Sequence, residues 1–329
     1  MLLSNLIASP PDDRDFRYVT QGFNPTGDIS QYAAGIENQL GAGACTTHAV
    51  GSVGELILTR ANRSLDLSFQ FGYDVGRIWE ARRGESGMYL RDALKVAHKL
   101  GIPREAEYPY RGDEVTLDPP ESVIALAGQR KLGRYESIDM SGRDTEAQFS
   151  TIRSAITEGC PVVIAMRLGA QFYNIFGPRE THRYPALESN TPGNGYIGNH
   201  AMVIEAYGSD WLDIENSWGI GFGDSGFIRI GIQVLTDIFE AWAVRGFAGI
   251  DPTTQAAHDW AMAHPEAVRA FALAQWPNTM QVLIDALITF GLSESEFEGI
   301  MEWQAEAVRS YSQADPVGNL LDWRDFNWG

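Results

Sequence analysis

The sequence predicts an α+β protein of two lobes, a helical one and one built on an antiparallel β-sheet, with a helical extension at the C-terminus. Three observations predict it. Helical periodicity marks residues 46–60 and 88–101, short apolar or alternating runs mark residues 161–250, and the composition shifts after Ile250.

The N-terminal stretch "MLLSNLIASPPDDRDF" has a short apolar run with no basic region ahead of it, and acidic residues follow quickly. It reads as mature chain rather than a secretory signal. In "TTHAVGSVGELILTR", residues 46–60, Val50, Val53 and Ile57 recur at helical spacing. "MYLRDALKVAHKLG", residues 88–101, is a second helical segment closed by Gly101. "PVVIAMRL", "HAMVIEAY", "WLDIENSW", "GFIRIGI" and "WAVRGFAGI" are bounded by Gly, Pro or polar residues and are expected as strands. Residues 172–199 carry three prolines and no clear period, the mark of a functional loop or an insertion.

Beyond Ile250 the chain holds 12 acidic and 3 basic residues, no lysine, and helical patterns. Pro265 stands at one helix start, and Ser293 with Glu296 forms a capping-box pattern ahead of Phe297, Ile300, Met301 and Val308. The expected division is therefore a main domain over residues 1–250 and an acidic helical extension over residues 251–329.

A chain of 329 residues, 44% hydrophobic and 21% charged, is long enough to bury a real core and is not of disordered composition. Its net charge of -18 disfavours nucleic acid and anionic membranes as partners. No stretch approaches the roughly 18 consecutive apolar residues of a membrane span. Only two cysteines occur, Cys45 and Cys160, so at most one disulfide is possible. Without an export signal, a reducing compartment, the cytoplasm or the inside of a virion, is the expected location.

Cys45 opens the first predicted helix, where the macrodipole and unpaired N–H groups favour a thiolate. A thiolate that attacks a carbonyl needs a base, a group that orients the base, and donors for the developing oxyanion. His200 starts one predicted strand and Asn216 ends the next, 16 residues on, with a turn at residues 208–210 between them. An antiparallel pair of that length brings both side chains to one end of a sheet, where the amide oxygen accepts from one ring nitrogen and the other faces sulfur. Gln39, six residues before Cys45, supplies a side-chain amide that with the Cys45 N–H makes a two-donor oxyanion hole.

The order Gln39, Cys45, His200, Asn216, with "NSWG" around the last, resembles the papain-like cysteine peptidases. The likeness continues through "PPDDRDFRY", "LSFQFGYDVGRI", "GESGMYLRDALKVAHKLGIPREAEYPY", "GCPVVIAM", "NHAMVIEAYG" and "NSWGIGFGDSGFIRI", about residues 10–250. It implies a papain-like two-lobed fold with polypeptide bound in the cleft between the lobes. It further implies Cys45 as nucleophile, His200 as base and then acid, Asn216 as its orienting group and Gln39 as oxyanion donor. By the same likeness Trp218 shields the His200–Asn216 hydrogen bond, and Gly87 lets an extended substrate lie against the backbone. No cofactor and no metal are implied. Compact members of this kind without signal or disulfides resemble bacterial and phage-type peptidases without a propeptide, and only 44 residues precede Cys45.

The chain departs from the family pattern around the nucleophile, which is commonly Cys-Gly-Ser-Cys-Trp. Here the run is Ala42-Gly43-Ala44-Cys45-Thr46, which removes a disulfide and is expected to leave the sulfur less covered. Phe222 stands where a second tryptophan is usual. Cys160 and His48 read as packing residues, and His98, His182, His258 and His264 lack metal-ligand spacing. Two other functions compete with a cysteine endopeptidase. One is a structural or binding protein on the same scaffold, docking a protein partner through residues 251–329 and its aromatic end "LLDWRDFNWG". The other is a cell-wall amidase, disfavoured by Asn216 and "NSWG".

Overall fold

In the computed structural model of the chain, residues 6–12, 15–142, 144–182, 184 and 195–247 are described. The expected boundary at residue 250, the helices of residues 251–329 and the docking role assigned to them lie outside the described residues.

The helices are α1 (Cys45–Arg60), α2 (Phe69–Trp79), α3 (Leu90–Lys99), α4 (Glu121–Ala127) and α5 (Thr145–Thr157). The strands are β1 (Gly27–Asp28), β2 (Leu132–Ile138), β3 (Val162–Gly169), β4 (Tyr196–Tyr207), β5 (Trp211–Glu215), β6 (Phe227–Gly231) and β7 (Ile238–Phe247). Every residue of α1 from Cys45 to Leu58 is buried, so this helix runs through the interior rather than across its surface. Helix α2 is capped by Ser68, whose hydroxyl accepts from the Phe71 amide, and α5 by Asp144, which accepts from the Ala147 amide. Helix α3 stops where expected. Gly101 takes φ +92° and returns its N–H to the Val96 carbonyl, and a β-carbon there would overlap the Ala127 carbonyl oxygen.

The strands form one antiparallel sheet in the order β2-β7-β3-β4-β5-β6, with β1 added alongside β4. The predicted turn falls between Tyr207 and Trp211, and Val203 faces Glu215 across the β4–β5 pair. Strand β4 begins four residues before the expected run, because Gly198 and Asn199 extend the ladder opposite Leu168 and Arg167 of β3. His200 is therefore inside a strand, not at its start. Strand β2 was not anticipated. Its buried face includes Glu136, which breaks the apolar alternation and is neutralised by Arg245 of β7 at 2.6 Å.

Helix α1 packs along β4, which sets the N-terminal turn of the helix against the sheet residues that carry the site. Cys160 lies buried just ahead of β3 among the core residues, with the Arg245 guanidinium 3.8 Å from its sulfur. No helix among the described residues is long and apolar enough to cross a membrane.

Candidate active site

The site is built from three pieces of chain. The first is residues 37–45, which lead into α1. Gln39 donates its backbone N–H to the Ser217 carbonyl, and Gly219 donates to the Glu37 carbonyl, both at 2.9 Å. Asn38 and Trp218 pair antiparallel between them. This short ladder fastens the segment before α1 to the segment after β5. The second piece is β4 with His200, and the third is the turn after β5 with Asn216, Ser217 and Trp218.

Asn216 Oδ1 accepts from His200 Nε2 at 2.6 Å and from the Ser217 backbone amide at 2.9 Å. An amide N–H only donates, so Ser217 fixes which end of the Asn216 side chain is oxygen. That oxygen in turn requires the proton of a neutral His200 to sit on Nε2. Nδ1 is then an acceptor, and it is buried with no hydrogen-bond partner among the described residues. Burial pushes the His200 imidazole down to about 4, the Asn216 hydrogen bond opposing the shift. The ring rests against Trp218, centroids 4.9 Å apart, and Trp218 is itself stacked on Tyr173 at 5.3 Å and 8°. Phe172 and Phe222 meet Trp218 edge-on, completing an aromatic cover over the His200–Asn216 pair.

Gln39 is buried, and its orientation is fixed from both ends. Ser217 Oγ donates to Oε1 at 2.7 Å, and Nε2 donates to the Ala42 carbonyl at 2.9 Å. An amide NH2 has two protons, so one remains for a ligand. Cys45 is the first residue of α1 and, with Thr46, is completely buried. The expectation that Thr46 leaves the sulfur less covered is thus overturned, since the smaller side chain is packed into the interior. His48, one turn along α1, lies close enough to His200 for that ring to disfavour protonation of His48, a smaller effect than burial. The first turn of α1 and the imidazole are therefore neighbours.

Gly87 takes φ +80° and gives its N–H to the Tyr73 hydroxyl at 3.1 Å. It lies against the loop that leads into α1. A β-carbon on Gly43 would come within 2.7 Å of the Gly87 nitrogen and 2.3 Å of Ser86 Oγ, so only glycine fits at Gly43. The two segments are tied by a residue that sequence reasoning missed. The Glu114 carboxylate accepts from the Gly43 amide at 2.7 Å, Ser86 Oγ at 2.9 Å, Tyr73 Oη at 2.6 Å and the Arg77 guanidinium at 2.7 Å. Where the family pattern has a cysteine at Ala42, a polar knot on Glu114 holds the loop. Nothing local to Glu114 in the sequence signals this, because its partners come from three distant segments. Ser217 was missed too, although its place inside "NSWG" was the available signal.

Carboxyl groups from α1 and the sheet form a buried acidic cluster. Burial pushes Glu55 up to about 8, with Glu37, Asp66 and Glu215 adding to the shift, and Glu205 and Glu215 are raised by burial as well. Among the described residues no group of three or more His, Cys, Asp or Glu side chains is arranged to hold a metal ion.

Comparison with known proteins gives a consistent picture. A cysteine proteinase of Entamoeba histolytica is 23% identical over 231 residues, 68% of this chain and 64% of that protein. Papain from Carica papaya is 26% identical over 205 residues, 59% of this chain and 50% of that protein. The chain thus spans between half and two thirds of these relatives' length. In structure it resembles xylellain, a cysteine protease from Xylella fastidiosa, with a TM-score of 0.62 and 20% identity over 74% of this chain and 97% of that one. A digestive procathepsin L2 of Tenebrio molitor gives 0.56 at 20% identity, covering 74% of this chain and 78% of the other. The sequence model of the papain family of cysteine proteases matches residues 26–238, and the chain belongs to that family.

Proposed function

We propose that this chain is a cysteine endopeptidase that cleaves polypeptides through a thioester acyl-enzyme. The observation that carries the reading is His200. Its Nε2–H is committed to Asn216, and its Nδ1 lone pair is buried and unpaired among the described residues, on a strand packed against the helix that opens with Cys45. The Cys45 thiol passes its proton to Nδ1, and the sulfur attacks the scissile carbonyl carbon. The oxyanion that forms is met by the Cys45 N–H and the remaining Gln39 Nε2 proton. As the tetrahedral intermediate collapses, Nδ1–H protonates the leaving amine and the C–N bond breaks. Water, deprotonated by the same nitrogen, then hydrolyses the thioester.

Trp218 keeps water from the His200–Asn216 hydrogen bond throughout. Gly87 supplies a wall without a side chain for an extended substrate. Its own N–H is spent on Tyr73, which leaves its carbonyl as the group it offers.

The test is labelling of the reduced protein with iodoacetamide together with hydrolysis of casein. Stoichiometric alkylation at Cys45 is expected to abolish hydrolysis, and Cys45→Ala is expected to be inactive. Casein cleavage that persists in the Cys45→Ala protein removes the proposal.

A further inference from the structure

The peptide unit between Ala44 and Cys45 is held in a way that its place in the helix does not require. Ala44 is the N-cap of α1, and no side chain caps the helix there. Its carbonyl accepts the ordinary first helical bond from the His48 amide at 3.1 Å. It also accepts from His48 Nδ1 at 2.9 Å and from Thr47 Oγ1 at 3.1 Å. One carbonyl oxygen thus takes three donors, two of them side chains of the next turn. The other end of the same peptide unit is the Cys45 N–H, which as the first amide of the helix has no acceptor inside it.

His48 is built to donate. A carbonyl oxygen only accepts, so Nδ1 carries the proton, and the ring is completely buried. Burial pushes its basicity down to about 4, so the ring is neutral at ordinary pH and brings no second charge to the site. It is clamped between Phe69 and Tyr110, each with its ring centroid 4.7 Å away. Tyr110 reaches on to the other half of the oxyanion site, its hydroxyl donating to the Gln39 carbonyl at 2.8 Å. His48 and Tyr110 therefore link the two segments that carry the oxyanion donors. Withdrawing electron density from a carbonyl oxygen polarises the N–H of the same amide, by roughly 10–30% per bond in condensed phase.

We propose that His48 and Thr47 are positioning residues for the oxyanion donor. By donating together to the Ala44 carbonyl they lock and polarise the Ala44–Cys45 peptide, whose N–H meets the substrate oxyanion. This rests on the peptidase reading above and adds to it two residues that act through the Ala44–Cys45 peptide.

The test compares variants of the full chain on a peptidyl coumarylamide and, separately, on iodoacetamide, which alkylates sulfur without forming an oxyanion. His48→Phe keeps an aromatic ring in the clamp and removes the donor. His48→Asn loses the ring but returns an N–H close to the position of Nδ1. Thr47→Val keeps the shape of the side chain and removes its hydroxyl. Losing a direct oxyanion donor lowers kcat about 100- to 1,000-fold, so losing its support should lower it less. The expected result is a roughly 10-fold fall in kcat for His48→Phe and about 3-fold for Thr47→Val, with KM and the alkylation rate changed by less than about 2-fold. His48→Asn should recover most of the activity.

A packing role predicts the reverse order, with phenylalanine tolerated and asparagine harmful, and that order overturns the inference. So does an alkylation rate that falls in step with kcat. Unaltered kcat in both Thr47→Val and His48→Phe overturns the inference while leaving the peptidase reading intact. An unaltered chain that hydrolyses no amide substrate overturns both.

Discussion

Asn216 Oδ1 and His200 Nε2 lie 2.6 Å apart, and the Ser217 amide holds the same oxygen from the other side. The imidazole is thereby fixed in tautomer and in rotation by a neutral acceptor. A neutral partner orients the ring without adding a charge to the buried site.

Replacing Asn216 with alanine removes the acceptor and leaves Nε2–H buried and unpaired. The ring is then free to rotate or to change tautomer, so kcat/KM on a peptide substrate should fall about 10- to 100-fold, part of the general-base contribution. The alanine variant should still fold, since the Asn216 backbone stays anchored to the Gly226 carbonyl. Activity within 2-fold of the unaltered protein would show that the ring is oriented by something else.

The pH profile follows from burial. His200 is pushed down to about 4, below its ordinary 6.5, so acid must reach that range before the ring takes a proton that blocks it as a base. Hydrolysis should therefore rise with pH through about 4. Trp218→Ala admits water to the ring, relieves the desolvation, and should move that limb upward by half a unit or more. A limb that stays in place in the variant would exclude Trp218 as the source of the shift.

Glu114 accepts four hydrogen bonds, one from Arg77, whose side chain is completely buried against the Tyr73 ring at 3.9 Å. Glu114→Ala leaves that guanidinium only the Glu85 carbonyl at 2.9 Å and the Asp74 carboxylate at 3.9 Å, and frees both the Gly43 loop and the Ser86–Gly87 wall. Stability by urea denaturation should fall by about 2–4 kcal/mol, and KM should rise more than kcat falls. An unchanged urea midpoint would refute the idea that this knot holds the loop.

Glu55 predicts how stability varies with pH. Its folded value of about 8 lies above its ordinary 4.5, raised first by burial and then by Glu37, Asp66 and Glu215. The folded chain keeps a proton that the unfolded chain has released, so this contribution is whole below pH 4.5 and is lost as pH rises towards 8. Glu55→Gln retains the acceptor for the Leu67 amide without the charge. Relative to the unaltered protein it should gain on the order of 2–4 kcal/mol between pH 5 and 8, read as a difference in melting temperature at the two pH values. Parallel melting curves at both pH values would contradict this.

Much of the fold was legible because its signals are local. The apolar spacing of Val50, Val53 and Ile57 marked α1, Gly101 marked the end of α3, and the runs at residues 161–168 and 211–218 marked β3 and β5. Strand β2 stayed hidden because Glu136 breaks the apolar alternation, and its burial depends on Arg245, 109 residues away, as well as on the neighbouring Arg134. The early start of β4 stayed hidden because Gly198 and Asn199 become strand residues only by pairing with β3.

By itself the sequence determined the chemical parts: a thiol at a helix start, an imidazole on one strand with an amide at the end of the next, just past β5, and a glutamine six residues ahead of the thiol. Such assignments need only residue type, order and short-range periodicity. Tertiary structure alone decided which groups hold those parts in place. Ser217 on Asn216 and Gln39, Glu114 on the Gly43 loop, and His48 on the Ala44 carbonyl are hydrogen bonds whose value depends on burial and on angle. Neither is written in a linear string, because both come from how the helical segments and the sheet exclude water between them.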